Sequence, residues 1–146
     1  LASIYGSQSI VASIDLKKNN DKFEVFISNG TIKISMDASD YIKKICDLPI
    51  GEIMINSIDR DGTGQGYMIE LLKIIPKEIK IPLIISGGAG NFNHLLEGVQ
   101  NNSIDAVATA NLLNFVGDGL ISARNKIISH GYSLAKWKNI KDCNFK

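Results

Sequence analysis

The sequence has few of the features that mark disulfide-rich, metal-binding or highly charged proteins. It contains only two cysteines among 146 residues, Cys46 and Cys143, and neither lies in a CxxC or another metal-ligand spacing. Two free thiols are typical of a reducing compartment, so we expect a cytoplasmic protein without a metal site. The net charge is only +1, which gives no electrostatic reason to expect nucleic acid or a membrane surface as a partner.

Long hydrophobic runs are missing as well. No run approaches the ~20 apolar residues that a membrane-spanning helix requires. Hydrophobic residues make up 45% and charged residues 21% of the chain, a balance typical of a domain that folds around a core. The chain begins at Leu1 rather than at a methionine, so we expect it to be part of a longer product.

Four short runs rich in β-branched residues predict strands. Each run is nearly continuous in apolar or small residues, which is typical of parallel strands buried on both faces. A polar or glycine-rich turn follows each run, and a helical stretch comes next. The predicted strands cover residues 9–14, 52–58, 82–85 and 105–110.

Apolar residues at helical spacing predict four helices between and after these strands, over residues 38–46, 68–75, 93–99 and 120–129. Asp37 or Ser39 is expected to cap the first helix, and Asn91 or Asn93 the third. Gly131 suits the position that follows the last turn of the fourth helix.

The first unit contains an extra hairpin, because strand-like runs at 22–27 and 31–34 flank Ser28-Asn29-Gly30. Four consecutive βα units, with that hairpin after the first strand, predict a parallel α/β sheet with right-handed crossovers. A complete (βα)8 barrel needs ~250 residues, so the pattern predicts half of one. We expect this half-barrel over residues 1–133 and a C-terminal tail over 134–146, with an open sheet as the alternative.

Polar and glycine residues concentrate where the predicted strands end, the edge at which parallel α/β folds bind ligands. One such segment is Ser86-Gly87-Gly88-Ala89-Gly90, and the next strand ends at Ala110-Asn111. Glycines allow the backbone N–H groups of a turn to approach a phosphate. Barrels commonly hold phosphate after their last two strands and at a short extra helix, here residues 111–115. The alternative is a tight turn without a ligand.

The loop after the second strand carries three further glycines, Gly62, Gly64 and Gly66. This spacing is not GxGxxG, and the next strand ends in Ser86 instead of an acid, so dinucleotide binding is disfavoured. We expect a movable loop that covers a substrate. Asp61 is a candidate hydrogen-bond acceptor for the ligand, and Arg60 is expected to pair with a neighbouring acid.

Single residues complete the set of candidates. Asp15 ends the first predicted strand, where a carboxylate could act as general acid or base or could be an ordinary loop aspartate. Glu52 begins the second strand, and charges at that end of a barrel usually serve stability. His94 is expected on a helix surface, without a partner for a triad or a metal.

Six motifs together resemble the cyclase subunit of imidazole glycerol phosphate synthase, in that family's order and spacing. They are Gly6-Ser7-Gln8, Ile14-Asp15, Gly51-Glu52-Ile53, Ser57-Ile58-Asp59-Arg60-Asp61-Gly62-Thr63, Gly66-Tyr67 and Ser86-Gly87-Gly88-Ala89-Gly90. The resemblance runs over about residues 1–133 and covers strands five to eight of the family's barrel.

The resemblance implies an enzyme that needs no cofactor and receives ammonia from a glutaminase subunit. The ammonia reacts with a ribulosyl aminoimidazole carboxamide nucleotide that has a phosphate at each end. A lyase and cyclisation step then yields imidazole glycerol phosphate for histidine biosynthesis. Two aspartates act as acid and base, and Asp15 matches the second of them.

Other positions match further parts of the family's site. Asn56 matches a polar residue of the substrate cavity, and Asp61 matches a nearby acid. Gly62, Gly88 and Asn111 match one phosphate site. Glu52 matches a charged gate at the bottom of the barrel through which ammonia enters, which would replace the stability role.

Several features depart from the family. The first four units are absent, and with them the other aspartate, the second phosphate site, the remaining gate residues and most of the glutaminase surface. Met68 replaces a usual aspartate, Asn111 a usual serine, and Lys33-Ile34-Ser35 a threonine-glycine pair. One alternative is therefore a paralogous branch that serves amidotransferases acting on bacterial surface sugars. Another is a non-catalytic half-barrel that needs a missing half or self-association.

Overall fold

The computed structural model describes residues 1–110, 112 and 119–135, and its centre is one six-stranded sheet in the order β3-β2-β1-β4-β5-β6. Strands β1, β4, β5 and β6 run parallel, whereas β2 and β3 are antiparallel to their neighbours. The strands are β1 (Val11–Asn19), β2 (Lys22–Ile27), β3 (Ile32–Lys33), β4 (Glu52–Ser57), β5 (Leu83–Ser86) and β6 (Ala106–Val107).

Helical segments alternate with the parallel strands as predicted, and one short helix that was not predicted precedes β1. They are α1 (Ala2–Tyr5), α2 (Ala38–Cys46), α3 (Phe92–Gln100) and α4 (Gly119–Ser129), with 3₁₀ segments at Ser7–Ser9 and Ile69–Ile74. The expected cap of α2 is confirmed, since Asp37 Oδ1 accepts the Ser39 N–H at 2.9 Å. Gly131 ends α4 with a φ of 91°, and the next N–H, from Tyr132, reaches back to the Ile127 carbonyl.

Residues 68–75 were expected to form an α-helix, and this was wrong in type. The segment is the 3₁₀ helix Ile69–Ile74, which ends before Pro76. The loop glycines before it and the proline after it leave room for about two turns, and short helices gain little from propagation. Its two β-branched residues, Ile69 and Ile74, also favour an α-helix less than leucine or alanine would.

The first strand also differs from its prediction. Residues 9–14 were expected, but β1 runs from Val11 to Asn19 and itself pairs with β2 through a turn at Asn20, whose φ is 52°. The predicted hairpin between β2 and β3 is confirmed, with positive φ at Ser28, Asn29 and Gly30. Asp15 therefore does not end its strand. It lies where the parallel pairing with β4 finishes and the antiparallel ribbon begins.

The apolar runs predicted strands that are buried on both faces of the sheet. Within the described residues, only one face is buried. Side chains on β4 alternate between buried and half-buried along the whole strand. The buried face packs against the helical segments, and the core between them includes Leu16, Ile53 and Ile55 from the sheet and Ile42 and Leu71 from the helices, each 1% exposed or less. Within the described residues no second layer covers the other face, which is the concave side of a barrel.

Other predictions fall partly outside the description. Asn111, most of the expected short helix at 111–115, Cys143 and the tail from residue 136 onward lie outside the described residues. Cys46 is a free, half-buried thiol, and desolvation raises its pKa. Among the described helices, none has the length and apolar character needed to cross a membrane.

Candidate functional site

A cavity of about 250 Å³ opens at the carboxyl ends of the parallel strands. It is bounded by the loops after β4 and β5 and by the residues that follow β6. Its lining comprises Ser13, Met54, Asn56, Asp61, Gly62, Ser86, Gly87, Gly88, Ala89, Ala108, Thr109 and Ala110. Every residue predicted to bind substrate or phosphate is in this set except Asn111, which lies outside the described residues.

Asp15 lies beside this cavity and is hydrogen-bonded to Asn56, which lines it. It pairs with Asn56 across the parallel strands β1 and β4, and Asn56 Nδ2 donates to Asp15 Oδ1 at 3.0 Å. Both side chains are part-buried on the concave face. An amide donor fixes a carboxylate in place while leaving acceptor sites on it, which is the arrangement that a positioned proton acceptor requires.

The two glycine-rich loops form a backbone-to-backbone seam. Gly66 N–H donates to the Gly88 carbonyl at 2.8 Å. A Cβ on Gly90 would lie 2.6 Å from the Gly64 Cα, and a Cβ on Gly88 would overlap the Gly66 carbonyl oxygen. The glycines at 64 and 66 therefore serve loop packing, while Gly62 and Gly88 line the cavity.

The loop over residues 59–66 is tied down at several points. Asp59 Oδ2 accepts the Lys18 N–H at 2.6 Å, which joins the loop to β1. Within the loop, Arg60 Nη1 donates to the Gln65 carbonyl at 2.9 Å, and Thr63 Oγ1 donates to the Arg60 carbonyl at 2.7 Å. These contacts tie the loop to β1 and to itself, and a movement of the loop over a substrate stays a prediction. Arg60 binds a carbonyl, and its charge adds to the effect of Lys18 in lowering the pKa of the Glu70 carboxyl, in keeping with the expected acidic neighbour.

A surface ion pair supports the same junction between β1 and the chain that follows the loop. Lys18 Nζ lies 2.5 Å from Glu70 Oε2, and this ammonium lowers the pKa of the Glu70 carboxyl. Both side chains are exposed, so the pair adds little stability by itself. Its effect is to reinforce the Asp59 contact at the same lysine.

Tyr67 connects the glycine seam to the segment after β6, a role that the sequence analysis did not predict. Its side chain is 5% exposed, and its hydroxyl donates to the Ala108 carbonyl at 2.9 Å, across to the segment after β6. Burial raises the pKa of this phenol above its ordinary value. The signal available in the sequence was a tyrosine directly after Gly66. The sequence does not reveal which carbonyl the tyrosine hydroxyl contacts.

Glu52 lies at the opposite end of β4 from the cavity. It pairs with Val11 of β1 and is half-buried. Because side chains alternate along a strand, Glu52 shares the concave face with Met54 and Asn56. It therefore belongs to the inner surface of the barrel at the amino ends of the strands.

His94 was expected on a helix surface, and it is partly exposed in the first turn of α3, where it also lies against the glycine seam. Its Nδ1 accepts the Gly90 N–H at 3.1 Å, and its ring packs on Gly66. No triad partner contacts it. Among the described residues, no group of three or more His, Cys, Asp or Glu side chains could hold a metal ion.

The sequence similarity to known proteins covers the residues of this site. Residues 1–117 match the family described as histidine biosynthesis protein. The imidazole glycerol phosphate synthase subunit HisF of Clostridium botulinum is 38% identical over 135 residues, 91% of this chain and 53% of that protein. The HisF subunit of Pyrobaculum aerophilum is 43% identical over 115 residues, 79% of this chain and 45% of that protein.

A Parasynechococcus marenigrum protein, provisionally designated subunit hisF2 of the same synthase, is 44% identical over 146 residues, 99% of this chain and 54% of that protein. The chain thus spans about half the length of these relatives. Its parallel strands and outer helices are those of a partial (βα)8 barrel. With the match covering both the glycine loops and Asp15, the chain belongs to the family of histidine biosynthesis proteins.

Proposed function

We propose that this chain forms the phosphate-binding and proton-transferring half of an ammonia-dependent cyclase of histidine biosynthesis. The observation that carries the proposal is the contact between Asp15 and Asn56 at the rim of the glycine-lined cavity. Relatives that span about twice this length are named as subunits of imidazole glycerol phosphate synthase. The substrate would be the ribulosyl aminoimidazole carboxamide nucleotide, and one product imidazole glycerol phosphate.

One phosphate of the substrate is proposed to bind in the cavity. Its volume of about 250 Å³ is smaller than the pockets that enclose drug-sized ligands, so it suits one end of a longer substrate. Gly62, Gly87 and Gly88 line the cavity without side chains, so their backbone can contact a phosphate directly. Helix α3 begins nearby at Phe92. The Ser86 hydroxyl adds a neutral donor, and Asn111 is proposed to complete the site.

Asp15 is proposed to move protons at the reacting carbon. Ammonia must lose a proton after it adds to a carbonyl, and the carbonyl oxygen must gain protons to leave as water. A carboxylate held by an amide can accept the first proton and return it, which is general acid–base catalysis. Asn56 both holds Asp15 and lines the phosphate cavity, so the two functions share one strand end.

Glu52 is proposed to be part of the entrance for ammonia. It lies on the concave face at the amino end of β4, the opposite end of the strand from the phosphate cavity. A glutaminase subunit docked at that end would release ammonia into the barrel interior. The cyclase reaction at the carboxyl ends of the strands would then be separated from the site of glutamine hydrolysis by the length of the strands.

The remaining groups must come from outside the described half. The second aspartate, the second phosphate site and the other gate residues belong to the family's first four βα units, which we propose are supplied by the same polypeptide, by a separate half-barrel or by a second copy. The concave face that such a partner would cover carries Ser13, Met54 and Ile84. The proposed location is the cytoplasm, where the pathway's intermediates are made.

The sugar amidotransfer branch remains a second candidate, but Met68 supports it less than its sequence position suggested. Ser57 Oγ donates to Met68 Sδ at 3.7 Å, and Met68 packs against the main core. The substitution is therefore absorbed by the core beneath the cavity. The altered hairpin at Lys33-Ile34-Ser35 is the feature that still favours the branch.

A turnover assay tests the proposal. The protein, as its gene encodes it and with any partner half that copurifies, is incubated with ammonium and the ribulosyl nucleotide. We expect imidazole glycerol phosphate and aminoimidazole carboxamide ribotide in equal amounts, measured by liquid chromatography. A glutaminase-free reaction without ammonium is the control. Binding of the nucleotide without turnover at saturating ammonium would contradict the proposed chemistry and favour the sugar branch.

A further inference from the structure

His94 lies at the first turn of α3 and makes a reciprocal pair of hydrogen bonds with the residues before that helix. Asn91 Oδ1 caps α3 by accepting the His94 N–H at 3.2 Å. In return, His94 Nδ1 accepts the Gly90 N–H at 3.1 Å. The arrangement resembles a capping box, in which a Glu or Gln usually occupies the position of His94.

This pairing differs from an ordinary capping box in its target. The usual side chain returns to the N–H of the capping residue itself, whereas His94 reaches one residue further back, to Gly90. Gly90 ends the segment Ser86-Gly87-Gly88-Ala89-Gly90, whose first four residues line the cavity. The histidine therefore fixes the far end of the proposed phosphate loop without lining the cavity itself.

The same ring also contacts the other glycine loop. A Cβ on Gly66 would lie 3.3 Å from His94 Cδ2, so the ring lies directly over that glycine. Gly66 in turn donates to the Gly88 carbonyl. His94 thus contacts both loops at their seam from the helix side.

The hydrogen bond from the Gly90 N–H determines which nitrogen of the His94 ring carries a lone pair. A backbone N–H can only donate, so the Nδ1 that faces it must carry its lone pair, and the imidazole is neutral in this arrangement. The proton of the neutral ring is then on Nε2, which lies 3.2 Å from Asn91 Nδ2, also a donor, so that contact adds no hydrogen bond in this tautomer. The acceptor nitrogen of His94 is therefore used by the Gly90 N–H and is not directed to a substrate.

We propose that His94 is a positioning residue that preorganises the phosphate loop. The inference rests on the proposed function, since it concerns the same cavity. Gly87 and Gly88 adopt φ of 88° and 102° and are intrinsically the most flexible residue type, so an untied loop would lose entropy on closing around an anion. The hydrogen bond to Gly90 and the packing on Gly66 remove that freedom before the ligand arrives.

Three variants separate the hydrogen bond from the ring. His94→Gln keeps an acceptor at the position where glutamine commonly reaches back over the start of a helix, His94→Phe keeps a ring without an acceptor, and His94→Ala removes both. Asn93→Ala is the matched control, because Asn93 is the exposed neighbour on the same helical turn. Each is made in the protein as its gene encodes it, and binding of inorganic phosphate is measured by ³¹P NMR titration.

We expect the phosphate dissociation constant to rise about tenfold in His94→Ala and His94→Phe, the effect of losing one ordering hydrogen bond. In His94→Gln and Asn93→Ala it should stay within about twofold of wild type. Urea unfolding is recorded alongside, and binding is measured where each variant is folded. A merely structural histidine would shift the urea midpoint while leaving the affinity of the folded protein unchanged.

The outcomes are distinct. Equal phosphate affinity in wild type and His94→Ala would overturn the inference while leaving the proposed phosphate site intact. Full affinity in His94→Phe would overturn the role of the Gly90 hydrogen bond. If His94→Ala does not fold, the comparison of Gln with Phe decides in the same way. A wild-type protein that binds no phosphate would overturn the proposed site and this inference together.

Discussion

The two faces of the parallel strands β1, β4 and β5 carry different kinds of residue. On the helix side, each strand contributes apolar side chains that are at most 5% exposed, namely Ile14, Leu16, Ile53, Ile55, Leu83 and Ile85. On the concave side, the same strands contribute Ser13, Asp15, Met54, Asn56, Ile84 and Ser86. Because neighbouring residues point to opposite faces, stability and chemistry are encoded by alternate positions of one segment.

The largest effect is expected on the concave face, at Asp15. Asp15→Asn keeps the size of the side chain but removes the group that accepts a proton. We expect ammonia-dependent turnover of the ribulosyl nucleotide to fall by ~10²–10⁴-fold, with KM changed little and the urea midpoint retained. Steady-state kinetics on the protein as its gene encodes it measures this.

Asp21→Asn is the matched control for that experiment. Asp21 is an exposed aspartate in the turn between β1 and β2, a short distance along the same ribbon. It should leave turnover unchanged. If Asp15→Asn turned over as fast as this control, Asp15 would have no part in proton transfer, and the proposed function would lose its main residue.

A neighbouring pair on β4 tests the division between the faces directly. Ile55→Ala deletes a side chain that is 1% exposed, and we expect a loss of about 2–5 kcal/mol in the free energy of unfolding, because a cavity is left in the core. Met54→Ala, one residue earlier on the concave face, should cost clearly less. Urea denaturation of both variants measures the difference. Equal losses would mean that the concave face is covered by a partner to the same degree as the core.

The glycine seam offers a comparison between crowding and backbone strain. Gly88→Ala would bring a Cβ onto the Gly66 carbonyl at a φ of 102°, so we expect a loss of about 1–3 kcal/mol in stability and weaker phosphate binding. Gly131→Ala has a similar φ of 91° but open space around it, so only the strain of about 1 kcal/mol should remain. Equal effects of the two substitutions on stability and on binding would show that the seam is not tightly packed.

The sequence predicted which residues gather at one edge of the sheet better than it predicted the details of the surrounding strands and helices. All the predicted phosphate-side residues that lie within the described chain line one cavity, because glycine and polar residues after parallel strands must gather at one edge. Periodicity also located α2 and α3 to within a residue or two. These inferences depend on local chemistry and on a topological rule, which a single sequence contains.

The errors arose where tertiary contacts decide the outcome. The apolar runs predicted strands buried on both faces, since Met54 and Ile84 on the concave side look the same in sequence as residues of the core. The length of β1 was missed because its outer half is polar and is held by pairing with β2. The contact between His94 and Gly90 was missed because helical spacing does not reveal a contact with a loop before the helix.

The smallest effect is expected at Tyr67, which connects the cavity loops to the segment after β6. Tyr67→Phe removes the hydroxyl that donates to the Ala108 carbonyl, and we expect a loss of about 1 kcal/mol in stability at neutral pH. Tyr5→Phe is the control, since Tyr5 is 63% exposed. Urea midpoints at pH 7 give the comparison.

The same substitution predicts a dependence on pH whose sign follows from burial. The pKa of Tyr67 is raised in the folded state, whereas a tyrosine of the unfolded chain titrates near its ordinary value of about 10. The contribution of Tyr67 to stability is therefore complete below pH ~10 and decreases above it, because the unfolded chain then releases a proton that the folded protein keeps. Tyr67→Phe lacks this group, so its deficit relative to wild type should shrink between about pH 10 and 11. A deficit that stayed constant over that range would mean that the Tyr67 hydroxyl reaches solvent, and that the seam beside the cavity is more open than its packing indicates.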